Sequence, residues 1–208
     1  MENMEWRIGW SFAGFPLAGM ASALVTICLR PHLLHHRDPL GSGAFGVLMA
    51  ASFWIFLGLR SIWRTAAFIA ASIAAAYLAA LSAILATGRL FQPGPPYEPA
   101  AFVGGLVGAF AILVTALFLL SPRPGVRPVL IKAAFWSLAG GLLGVAGQAC
   151  GDLFGRIRPR LVFVPAQEPN SDISLILVWQ TGMGFVIAMV LWIENRRLRL
   201  GTPAQSRL

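Results

Sequence analysis

Charge is what this sequence has least of: Lys, Arg, Asp and Glu make up 12% of its 208 residues, against 57% that are hydrophobic. Soluble domains carry about 25% charged residues, so a water-facing surface has too little to build itself from. Acidic groups are the scarcest, eight against sixteen Lys and Arg. No pair of central carboxylates is available for hydrolysis or ion pumping. The two cysteines, Cys28 and Cys150, stand far apart and outside any CxxC pair, which removes structural zinc and dithiol chemistry and leaves them as apolar filler. A GxSxG elbow, a P-loop and an HExxH helix are all missing, as are histidines at paired depths in separate apolar stretches. No cofactor is expected. The start, Met-Glu-Asn-Met-Glu-Trp-Arg, is acidic before it is basic and lacks a signal-peptide n-region, so the first apolar segment is expected to stay in the mature chain.

What is present is long uncharged sequence. No charged residue lies between Arg64 and Arg89, and at about 1.5 Å per residue that interval crosses a hydrocarbon core of about 30 Å. Similar stretches recur, giving an all-α, polytopic integral membrane helix bundle of six transmembrane helices in a single membrane domain over 1–208. The spans fall near 11–29, 43–59, 65–87, 100–120, 133–149 and 173–193, with 194–208 as a basic, mobile tail. The second is short for a perpendicular crossing, and it and the fifth are the candidates for a re-entrant segment.

Small residues recur at four-residue spacing within these spans. Ala66, Ala70 and Ala74 form one row of the third span and Ala67, Ala71, Ala75 and Ala79 a neighbouring one, which predicts that span to be central in the bundle. Gly104 and Gly108 in the fourth span, and Gly140 and Gly144 in the fifth, make two GxxxG faces suited to close helix packing. Both belong to a shared Gly-Gly-Leu-x-Gly string, too short and too low in diversity to establish an internal repeat.

Polar chemistry meets the membrane at few places. Gln180, beside Thr181, Gly182 and Gly184, is an amide within the sixth span that needs a partner. Tyr77 is the polar exception in the alanine-rich third span. Gln148, Asp152 and Arg156 continue past the end of the fifth span towards Arg158 and Arg160. Gln148, Asp152, Arg156, Tyr77 and Gln180 are therefore the candidate ligand contacts, suited to an anionic or zwitterionic solute. His32, His35, His36 and Asp38 are the densest metal-ligand types, but their HxxHH spacing favours a solvated, proton-responsive loop over a metal site. The segment Gly151 to Arg156 resembles the loop motif of major-facilitator transporters in its Asp-x-x-Gly-Arg portion, carried by Asp152, Gly155 and Arg156. Those positions cover little of the chain and do not assign that family.

The arginines lie at the ends of the apolar spans, which points to anionic lipid headgroups as partners and away from nucleic acid. With six spans, ten Lys and Arg fall on the side of the termini and six on the other. The positive-inside rule then places both termini in the cytoplasm of a bacterial-type plasma membrane. The expected function is that of a small-solute transporter or membrane-embedded substrate-binding subunit. The six-helix architecture is similar to that of the substrate-capture subunits of bacterial vitamin uptake systems, a resemblance that implies a partner ATPase. The alternative is a membrane assembly or regulatory protein whose GxxxG faces and basic loops hold another membrane subunit or a second copy. An integral membrane enzyme working through the His32 to Asp38 loop or the Asp152 region ranks third.

Overall fold

The computed structural model describes residues 2–29, 39–58, 61–87, 98–120, 125–157 and 170–200. These form six helices: α1 (Glu2–Leu29), α2 (Pro39–Leu57), α3 (Ile62–Thr87), α4 (Glu98–Leu120), α5 (Val126–Ile157) and α6 (Asn170–Leu200). Local chemistry explains their ends. Pro39 opens α2 and Pro128 sits in the first turn of α5, where the first backbone N–H groups have no helical partner to lose. Gly58 stops α2 at φ 66° and donates its N–H to the Trp54 carbonyl at 3.2 Å, a left-handed cap that costs glycine little. Ser61 caps α3, its Oγ accepting from the Arg64 N–H at 3.5 Å.

Each helix packs on the next, and α6 closes on α1, so the six make a ring with α4 and α6 also touching across it. The ring has no open lumen at its centre. Phe15, Phe45, Met49, Phe68, Leu113, Leu117, Met183 and Ile187 fill it, each almost wholly buried. Phe15, Phe53 and Phe68 form an edge-on row from α1 through α2 to α3, with ring centroids 5.2 and 5.1 Å apart, a geometry that aligns ring edges with ring faces.

The exterior carries the reverse of a soluble pattern. Leu17, Leu24, Ile55, Leu81, Leu85, Phe135, Leu142 and Phe185 all face outward, a continuous apolar exposure far beyond that of a soluble monomer. This is an integral membrane protein. Five stretches are long and apolar enough to cross a bilayer: Gly9–Cys28, Ile62–Ala86, Glu98–Leu119, Val126–Leu153 and Ser174–Glu194. In α2 the apolar part, Ser42–Leu57, is shorter, about 24 Å at helical rise.

The helices extend beyond the expected spans. α1 takes in the polar entrance from Glu2, α5 absorbs Val126 to Lys132 and Cys150 to Ile157, and α6 runs on to Leu200. Residues 194–200, expected in a mobile tail, are thus helical. The Glu-Asn-Arg-Arg-Leu-Arg-Leu string there is rich in straight-chain helix formers, and Glu194 is held by Lys132 of α5 at 2.6 Å. Hydropathy marks where a helix leaves the hydrocarbon, whereas propensity and capping decide where it ends.

α3 does not take the central position expected from its alanines. Ala66, Ala70 and Ala74 are exposed. The inward face instead carries the buried Phe68, Ser72 and Ala75. The Ala66 row turns outward, while in the neighbouring row Ala75 is buried and Ala79 lies against Gly104 and Gly108 of α4.

Candidate functional site

Most hydroxyls inside the bundle are satisfied within their own helix. Ser52, Ser72 and Thr115 each donate to the carbonyl four residues earlier, and Ser137 to the one three earlier. Such back-bonding settles a hydroxyl in an apolar setting and gives it no further task.

Ser22 is different. Its Oγ lies 2.7 Å from the Gly19 carbonyl of α1 and 2.6 Å from Gln180 Oε1 of α6. One hydroxyl proton cannot serve two acceptors. Turning the Gln180 amide by half a rotation resolves this: its N–H donates to Ser22 Oγ, Ser22 donates to Gly19, and the amide oxygen is released for another donor. Both side chains are buried, Ser22 completely and Gln180 to 8% exposure.

Backbone contact holds the pair in place. A methyl group built on Gly19 would meet the Gln180 carbonyl oxygen at 2.2 Å, and one on Gly184 would meet the Phe15 carbonyl oxygen at 2.3 Å. The α1 and α6 backbones therefore touch at Gln180 and again one turn further along α6, both on the Phe15 side of Ser22, which only glycine permits. Pro16 lies in this stretch of α1, where its missing N–H leaves the Phe12 carbonyl without the usual helical donor.

Gln180 is flanked by two polar atoms with no hydrogen-bond partner, Trp179 Nε1 and Thr181 Oγ1, both buried. The Trp179 indole reaches from α6 to the glycine face of α4. A methyl on Gly105 would lie 3.3 Å from Nε1, and one on Gly108 the same distance from the six-membered ring. Phe45 of α2 meets the indole with centroids 6.1 Å apart. An amide, an indole N–H and two hydroxyls thus lie at one level of the bundle, fanned around α6 by about 100° per residue, in a setting otherwise made of aromatic and aliphatic groups. That combination can hold a small solute by a few directed hydrogen bonds and an apolar wall.

The other candidate positions are spread along the bundle. Gln148 is buried on α5, Asp152 is exposed near that helix's end, and Tyr77 is half-exposed on α3. Tyr77 is not brought to the Gln180 group: a hydroxyl on the outer half of α3 faces the surroundings of the bundle. Arg156 lies in α5, but its side chain is outside the described residues, as are Arg158, Arg160, His32, His35, His36 and Asp38. Among the described residues no three His, Cys, Asp or Glu side chains gather as metal ligands.

The GxxxG glycines are engaged within the chain. Gly104 and Gly108 lie against Ala79 of α3, Gly140 against Gly105 and Ala109, and Gly144 against the Ala101 carbonyl. Gln180 stands out in the sequence and its partner Ser22 does not, because nothing in the chain links positions 158 residues apart. Compared with protein family models, curated proteins and solved structures, the chain matches none.

Proposed function

We propose that the protein is a membrane-embedded solute-binding protein, a transporter core or the capture subunit of one, whose six helices all cross the bilayer with both termini in the cytoplasm. The observation that carries the reading is the pair of buried, unpartnered groups, Trp179 Nε1 and Thr181 Oγ1, on either side of Gln180. Each such group left without a partner costs about 1–3 kcal/mol, a cost that a ligand carrying acceptors removes.

On this reading the solute is small, with at least one acceptor for the indole N–H and a donor for the released Gln180 oxygen. Gln148 and Asp152 mark the way in from the end of the bundle opposite the termini, Arg156 adding positive charge there. Because aromatic side chains fill the ring centre, binding requires α6 or α1 to give way, and the glycine contacts at Gly19 and Gly184 are the natural place for that sliding. The assembly reading has less support, since the GxxxG faces on which it relied are occupied by neighbouring helices of the same chain.

A panel of amino acids, vitamins and short organic acids, screened by thermal stabilisation of the full chain in mild detergent, tests the proposal. A stabilising solute whose effect disappears in Gln180→Leu but survives in Tyr77→Phe supports it. Stabilisation untouched by Gln180→Leu removes the site.

A further inference from the structure

At the other end of the bundle, towards the C-terminal end of α4 from the Gly105 and Gly108 that meet Trp179, a crevice opens between α2, α3 and α4. Its floor is Ala50, Phe53 and Phe68, all buried, and its walls are Trp54, Thr65, Leu119 and Arg64. Trp54 Nε1 donates to Thr65 Oγ1 at 2.7 Å, which braces one side. Arg64 donates to the Leu119 carbonyl at 3.0 Å across the other. That bond uses one of the five N–H donors of an exposed guanidinium.

We propose that this crevice anchors an anionic phospholipid, its phosphate on Arg64 and the first part of one acyl chain along the exposed Trp54 and the rim at Leu119. Three observations converge on that occupant. The lining is apolar except at Arg64 and Thr65, so a free hydrated anion would find a cation but lose water against aromatic rings, whereas a lipid offers a charge and a chain in the same order as the protein does. The crevice lies at the ends of α2 and α4 and the start of α3, which is headgroup depth. Trp54 and Trp63, 43% and 83% exposed, sit at that depth as interfacial tryptophans do. Finally, α2 is the short apolar helix, so the bilayer has to adapt beside it and a bound lipid fills the step.

Native mass spectrometry of the full chain in neutral detergent, offered phosphatidylglycerol or phosphatidylcholine with identical acyl chains, tests this. The unsubstituted protein is expected to retain phosphatidylglycerol preferentially, and inorganic phosphate to leave it in place. Arg64→Gln keeps an N–H donor for the Leu119 carbonyl but loses the charge, and should lower phosphatidylglycerol retention about fivefold, while Arg64→Lys retains most of it. Arg127→Gln, an exposed cation at the same end but outside the crevice, should change little. Equal retention of the two lipids, displacement by inorganic phosphate, or equal losses in Arg64→Gln and Arg127→Gln would each overturn the assignment. The first two are read on the unsubstituted protein, so the proposal stays testable even if a variant fails to fold.

Discussion

Ser22 and Gln180 show how much of a membrane interior turns on single polar atoms. Interhelical hydrogen bonds in bundles contribute about 0.6 kcal/mol on average, because the separated helices also find partners. A double-mutant cycle of Ser22→Ala and Gln180→Leu, read by reversible unfolding in detergent, should therefore give a coupling of about 0.5–1 kcal/mol; no coupling would mean that the two do not interact in solution. Trp179→Phe is the converse case. It keeps a ring against Gly108 and Phe45 and removes an unsatisfied N–H, so without solute the variant should be as stable as the parent or more so, by up to about 1 kcal/mol. A loss of several kcal/mol would show that the indole N–H has a partner. The Gln180 amide was visible in the sequence because a polar residue inside an apolar run is rare. Ser22 was not, because small hydroxyls are common in such runs and most of them, like Ser52 and Ser72, bond only to their own helix.

Among the helices, contact is set by glycine more than by hydropathy. Gly19 and Gly9 lie ten residues apart on α1 and have opposite surroundings: a methyl on Gly19 meets the α6 backbone at 2.2 Å, and one on Gly9 meets nothing within 4 Å. Gly19→Ala should destabilise the bundle by about 1–3 kcal/mol, since backbone cannot turn aside as a side chain can. Gly9→Ala should be neutral or stabilising by up to about 1 kcal/mol through helix propensity. Thermal unfolding of the two variants side by side checks this, and equal effects would remove the close approach of α1 and α6. The sequence made the existence of the helices plain, because uncharged runs of this length have few other uses. It misled on the row of Ala66, Ala70 and Ala74 in α3, which is exposed, but not on Ala75 and Ala79, which pack. Alanines at four-residue spacing permit contact without requiring it, and a single phenylalanine, Phe68, gains more from burial than a row of methyl groups does.

For the whole molecule, the ring brings both ends of the described chain to one side, where Phe12 near the start of α1 meets Trp192 near the end of α6 with centroids 6.1 Å apart. The proposal that this side is cytoplasmic rests on the count of Lys and Arg. Cys28, exposed at the far end of α1, reports the opposite side. With Cys150 replaced by Ala, a membrane-impermeant thiol reagent should label Cys28 in intact cells without permeabilisation, and labelling only after permeabilisation would invert the topology. The fold class was thus legible from composition, and the closure of α6 on α1 was not, because ring order depends on contacts that leave no local mark in the chain. The same holds for the site, whose members come from α1 and α6 and whose indole rests on α4. Its most direct test is native mass spectrometry of the gently extracted protein beside its Trp179→Phe and Gln180→Leu variants. The account predicts a recurrent small-molecule adduct on the parent that is lost or strongly reduced in both variants. An adduct retained equally by all three proteins, or a parent that carries none and gains none from any solute offered, would contradict it.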